Sequence, residues 1–197
     1  MKKNCSIILL SMSGLATAAS AQNFSLSLVP SAQTIDTCAG AVTITMSVIG
    51  DADIGTHMLG GAFSMVSNSP YVQDMTWAPA SWSQFNTDGG YAGNGNYNEV
   101  VYGQLLNGGP FSPKPDSALG MPIGMFEITM SGIGEVQFDL VEGTPYTLQT
   151  VDANIGTLHN NTDGTLSLGS ASINLVPTPG ALSMLGLSGL LVSRRRH

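Results

Sequence analysis

Basic side chains are almost missing from the interior of this chain. Its six lysines and arginines are Lys2, Lys3, Lys114, Arg194, Arg195 and Arg196, so the stretch between the two ends holds one lysine and no arginine. All thirteen carboxylates lie in that stretch, from Asp36 to Asp163. Thirteen against one lysine give it a formal charge of −12. Such a surface repels phosphate backbones, which excludes nucleic acid as a partner.

Cysteine and histidine are scarce too. Cys5 and Cys38 are the two cysteines, and Cys5 lies near the N-terminus, just before an apolar run and within a segment expected to be removed, so no disulfide framework follows. Cys38, left alone, reads as a small packing side chain rather than a nucleophile. Between the ends stand only His57 and His159, too few for a histidine metal cluster. There is no Gly-x-Ser-x-Gly elbow and no His-Glu-x-x-His helix. These gaps remove the common hydrolase and metalloprotease chemistries, and the chain reads as a non-enzyme.

What is present is most distinctive at the ends. Lys2 and Lys3 precede a mainly apolar run from Ile7 to Ala16, and Ala19, Ser20 and Ala21 form a small-x-small cleavage site. Residues 1–21 therefore read as a secretory signal peptide, with a mature start at Gln22 and the export machinery as first partner. At the other end Val176, Pro177, Thr178, Pro179 and Gly180 precede an apolar run from Ala181 to Ser193, followed by Arg194, Arg195 and Arg196. Prolines cannot continue a helix from its N-terminal side, so they separate tail from body. A helix of that length spans roughly 20 Å, short of the roughly 30 Å hydrocarbon core. It inserts if the arginines snorkel, and the arginines then stay cytoplasmic.

This three-part tail, 176–197, resembles the PEP-CTERM sorting domain, in the Pro-Thr-Pro-Gly form of planctomycete-like bacteria. Thr178 stands where the name-giving motif has glutamate. The resemblance implies an exosortase-like membrane protease as partner. It also implies transient membrane anchoring through the C-terminal helix, processing near Pro177 to Pro179, and delivery to the cell surface or extracellular matrix.

Between the ends, 22–175, period-two patterns dominate. Val42, Ile44, Met46 and Val48 alternate with Thr43, Thr45 and Ser47; Val136, Phe138 and Leu140 alternate with Gln137 and Asp139. Leu166 and Leu168, then Ile173 and Leu175, continue the pattern. Further strands are expected at 24–29, 58–67, 98–105, 121–129 and 146–151. Turn signals fall between them, such as Asp88-Gly89-Gly90 and Asn94-Gly95. The expectation is all-β: an antiparallel two-sheet sandwich or jelly roll, flanked by the signal peptide and a short C-terminal hydrophobic helix. The run Gly61 to Val66, followed by a turn at Ser69-Pro70-Tyr71-Val72, is similar to cohesin-like sandwiches, which implies the fold alone. Residues 79–120, rich in Gly, Asn, Ser and Pro, read as the irregular part.

Three candidate sites follow. Eight of the body's thirteen aromatics lie between Tyr71 and Phe111. Trp77, Trp82, Tyr91 and Tyr97 could form a stacking platform for polysaccharide if that segment is exposed, or could pack over the sandwich and pin it. Asp51 and Asp53, with Asp152, Asn154 and Asp163, offer oxygens of the kind calcium takes, or a plain acidic turn needing no cofactor. Glu127, Glu135, Asp139 and Glu142 could place two carboxylates across a sheet, the minimum for a polysaccharide-acting hydrolase, or could simply face water. The reading favoured by the sequence is an exported surface or matrix protein with a structural or adhesive body. A carbohydrate-binding module stands second and a hydrolase third.

Overall fold

A computed structural model describes residues 22–106 and 112–177. The expected signal residues Ala19 and Ala21, the sorting residues Thr178, Pro179 and Gly180, and Arg194 to Arg196 lie outside the described residues. Fourteen strands are present among those described: β1 (Asn23–Pro30), β2 (Thr34–Asp36), β3 (Val42–Ala52), β4 (His57–Val66), β5 (Val72–Pro79), β6 (Thr87–Asp88), β7 (Tyr91–Gly93), β8 (Asn96–Gly103), β9 (Pro122–Met130), β10 (Gly134–Glu142), β11 (Gln149–Val151), β12 (Leu158–Asn160), β13 (Thr165–Leu168) and β14 (Ser170–Val176).

They form the expected sandwich. One sheet runs β13-β1-β3-β9-β5. In the other, β4 carries β8 on one edge, while β10 and β11 share its opposite edge; β14 and β2 continue beyond β10. The expectation of a purely antiparallel arrangement is corrected here. β1 pairs with β13, and β2 with β14, in parallel. Strand direction follows from which distant segments meet, and side-chain alternation looks the same in either direction.

Alternation decides which face is buried. Phe24, Leu26 and Leu28 of β1, and Val136, Phe138 and Leu140 of β10, point inward, while Ser25, Ser27, Gln137 and Asp139 face out. The two sheets meet on an aromatic cluster. Phe63 of β4 lies 5.5 Å from Trp77 of β5 and 6.2 Å from Phe126 of β9, both edge-on, and Tyr97 of β8 lies 5.0 Å from Phe126. Burying each such ring stabilises the fold by about 1.5–3 kcal/mol.

Gly169 carries the chain from one sheet to the other. Its N–H donates to Leu26 in the first sheet and its carbonyl accepts from Leu140 in the second. A Cβ there would come within 3.0 Å of the Ser27 backbone, so only glycine passes freely between the layers.

The segment expected to be irregular is more ordered than its composition implies. It contains β6, β7, β8 and a short 3-10 turn at Pro115–Ser117. Gln104 ties its later half to β4: its side-chain amide donates to the Met58 carbonyl at 2.6 Å and the Ser117 hydroxyl at 2.7 Å, and its oxygen accepts from the Lys114 N–H at 2.8 Å.

Candidate functional site

The aromatic residues proposed as a sugar platform do not form one. Trp77 is 8% exposed, Trp82 1% and Tyr97 3%. Trp77 sits on β5, a strand the sequence reading left unassigned, and alternation turns its indole into the core. Trp82 follows that strand, packs edge-on against Tyr102 at 6.1 Å and donates its indole N–H to the Pro122 carbonyl at 3.1 Å. Tyr91 is half-buried, and its hydroxyl bridges strands by donating to Val72 O and accepting from Gly95 N. The physical reason is the one weighed in the sequence: large rings fill the space between sheets and pin the segment that carries them.

The acidic turn is a hydrogen-bonded structure. Both Asp53 oxygens accept from Asn23, one from its backbone N–H at 2.8 Å and one from its side-chain amide at 2.7 Å. The Asn23 backbone bond, then its amide bond, hold the Asp53 carboxyl below the usual aspartate value. Asp51 accepts from the Ala52 N–H. Asp152 closes its own turn by accepting from the Asn154 N–H. Among the described residues, no three Asp, Glu, His or Cys side chains come together as a group able to hold a metal ion.

The carboxylates named for hydrolysis lie on outer faces. Glu135 and Asp139 point to solvent from β10, and Asp139 accepts from Gln137 beside it at 3.0 Å. Glu127 is exposed on β9, which belongs to the other sheet, and Glu142 is exposed at the end of β10. No described cleft gathers two of these four.

The feature the sequence did not reveal is a trough of about 320 Å³ on the outer face of the second sheet. Its floor is β4 against β8. Gly61, Phe63 and Tyr102 point into the core, so Gly60, Ala62, Val101 and Gly103 present the outer side. Gly60 pairs with Gly103, and a Cβ on Gly60 would meet the Tyr102 carbonyl at 2.6 Å. Two glycines abreast leave the floor without bulk. Leu59 is an extra residue opposite β11, where Gln149 pairs with Gly60 and Thr150 with Met58.

The walls are pinned by backbone bonds. On one side Phe85 and Gln84 both donate their N–H groups to the Gly103 carbonyl, while the Gly103 N–H donates to the Ser83 hydroxyl. This sets Phe85 beside the floor, where it is 61% exposed; Leu105, next to the triply bonded Gln104, is 63% exposed. On the other side run Thr144, Pro145 and Tyr146, with a cis Thr144–Pro145 peptide. Tyr146 is held by its carbonyl, which accepts from the Ala62 N–H at 3.0 Å. Thr147 and Leu148 both donate to Asn161 Oδ1. A glycine pair inside a strand pattern was the one sequence signal for this site, because it marks close backbone approach.

No family model matches the chain, and no curated protein matches it closely enough to be called a relative. Solved structures do match. The seventh ScaB type I cohesin from Pseudobacteroides cellulosolvens is similar at 10% identity over 80% of this chain and 94% of that one, with a TM-score of 0.49. A type II cohesin domain from the Acetivibrio cellulolyticus cellulosome is similar at 14% identity over 78% and 96%, with a TM-score of 0.48. The bacterial hydrophobin BslA is more distant, at 12% identity and a TM-score of 0.33. The chain's own strands make it an all-β sandwich, and cohesin modules are among the solved structures it is similar to.

Proposed function

We propose that this protein is exported, sorted through its C-terminal tail to the cell surface or extracellular matrix, and acts there by contact rather than catalysis. One observation supports the sorting part most directly. The sandwich closes its ladders at Val176. β14 is flanked by β10 and β2, and the Thr37 N–H donates to the Val176 carbonyl at 3.1 Å. Pro177 follows at once. Scission near Pro177 to Pro179 by an exosortase-like protease would remove none of the described strands.

The contact part draws on the outer faces. They carry Ser, Thr, Gln and scattered carboxylates over a body with a formal charge of −12, and one face bears the apolar trough. An acidic, polar surface that carries a rigid, largely apolar recess suits adhesion or assembly.

Intact-mass and peptide mapping of the protein from its native host, fraction by fraction, tests this. The protease should not be trypsin, because Lys114, the body's one basic site, precedes Pro115. A chain starting near Gln22, ending near Pro177 and found outside the cell is the expected result. A chain still ending at His197 in the membrane fraction makes the tail an anchor, and unprocessed cytoplasmic protein overturns export altogether.

A further inference from the structure

The geometry points to the trough between β4, β8 and residues 144–146 as a binding site for one ring of a neutral polysaccharide. This rests on the contact-making reading above and names the partner of that contact.

Five observations carry it. None of the residues lining the trough is charged, although the body is strongly acidic. An anionic polymer would be repelled by the whole surface, while a neutral one pays no charge desolvation on entering. Phe85 and Tyr146, from opposite walls, offer the π-surfaces that stack on the C–H-rich faces of pyranoses.

Polar groups stand ready as well. The hydroxyls of Thr144 and Tyr146 and the side-chain amide of Gln149 make no hydrogen bond to other described residues, so their donors and acceptors are available to sugar hydroxyls. Size fits: about 320 Å³ is at the small end of the roughly 300–1,000 Å³ range of ligand pockets, room for a ring rather than a folded segment. Finally, the walls are fixed in place through Gly103, Ala62 and Asn161, so little conformational freedom is lost on binding.

The test is affinity electrophoresis of the protein secreted by its native host, in native gels containing hydroxyethylcellulose, xylan, galactomannan or soluble starch, with polygalacturonate as the anionic comparison. At least one neutral polymer should retard the protein and polygalacturonate should not. Phe85→Ala and Tyr146→Ala should each weaken the retardation about tenfold or more, and Gln149→Ala several-fold. Phe85 is exposed, so its variant should melt like the wild type.

Retardation by no neutral polymer overturns the proposal, as does retardation that survives all three substitutions. Self-association lost in Phe85→Ala, with no polysaccharide retarding the protein, would assign the trough to protein docking and also overturn it. An unretarded protein that is nonetheless found outside the cell removes the ligand and leaves the export reading intact. Cytoplasmic protein removes the export reading whatever the gels show.

Discussion

The indole of Trp77 lies directly on Gly124, so closely that a Cβ on the glycine would come within 2.3 Å of the ring carbon Cζ2. Gly124 also faces the Ala78 carbonyl, 2.7 Å from the same Cβ position. Gly124→Ala should therefore overpack the core and destabilise the fold by about 1–3 kcal/mol. Urea unfolding followed by far-UV circular dichroism should show a lower midpoint at unchanged slope. Adding Trp77→Phe should return only part of the loss, because the carbonyl clash remains.

Tyr102 sets the alkaline limit. It is fully buried, its hydroxyl donates to the Thr147 carbonyl at 2.8 Å, and burial raises its phenol far above the ordinary value of 10.0. The unfolded chain releases this proton near pH 10 and the folded chain keeps it. Stability is thus full below about pH 10 and falls above it by about 1.4 kcal/mol per pH unit from Tyr102. Tyr97, raised first by burial and then by its bond to Asp88, adds with the same sign. Tyr102→Phe should remove its share of that slope. At neutral pH it should cost about 1–3 kcal/mol, because the Thr147 carbonyl is left unpaired. Unfolding free energies between about pH 8 and about pH 11 separate the two effects.

On the acid side the sensitive contact is Asp53 with Asn23. Because Asn23 holds the Asp53 carboxyl below 3.8, the contact stabilises the fold above that pH and is lost as pH falls through the lowered value. Carboxyl-detected NMR titration should place the Asp53 midpoint below the ordinary aspartate value. Asn23→Ala should move it up towards that value, since the amide bond is removed while the backbone bond persists. An unmoved midpoint would mean that the side-chain amide does not hold the carboxylate.

Gln104 is the latch of the segment between β8 and β9. Gln104→Ala leaves the Met58 carbonyl and the Lys114 N–H without their partner, at a cost of about 2–3 kcal/mol. Chymotryptic cleavage around residues 104–117 should accelerate before global unfolding, as judged by fragment mass. Gln104→Glu keeps an acceptor for Lys114 but sets a buried carboxylate against the Met58 carbonyl, and should destabilise at least as much as Gln104→Ala.

Much of the sandwich was legible because inward and outward positions alternate cleanly. Val42 to Val48, Val136 to Leu140 and Ile173 to Leu175 pointed to β3, β10 and β14 without knowledge of their partners. β5 escaped notice because its pattern is broken: Gln73 is an extra residue opposite β9, and Pro79 closes the strand. Without that strand the inward direction of Trp77 could not be read, and the aromatic segment looked like a surface platform. The trough was hidden for a related reason. It depends on Gly60 meeting Gly103 and on Phe85 being bonded to Gly103, juxtapositions across the sheet that a linear pattern does not encode. The parallel pairs were equally invisible, since they join segments near the two ends of the body.

Those two parallel pairs have a consequence for how the body acquires its fold. β1 pairs with β13 and β2 with β14, so each sheet takes strands from both ends of the body. For a polymer threaded N-terminus first through a narrow pore, neither ladder can be completed until residues 165–176 have emerged. β2 must wait for β14, a pairing that is slow because it is non-local, while β1 can pair with β3 first and gain β13 last. A body built this way keeps both sheets unfinished until its last strands are free to pair, and becomes rigid only then.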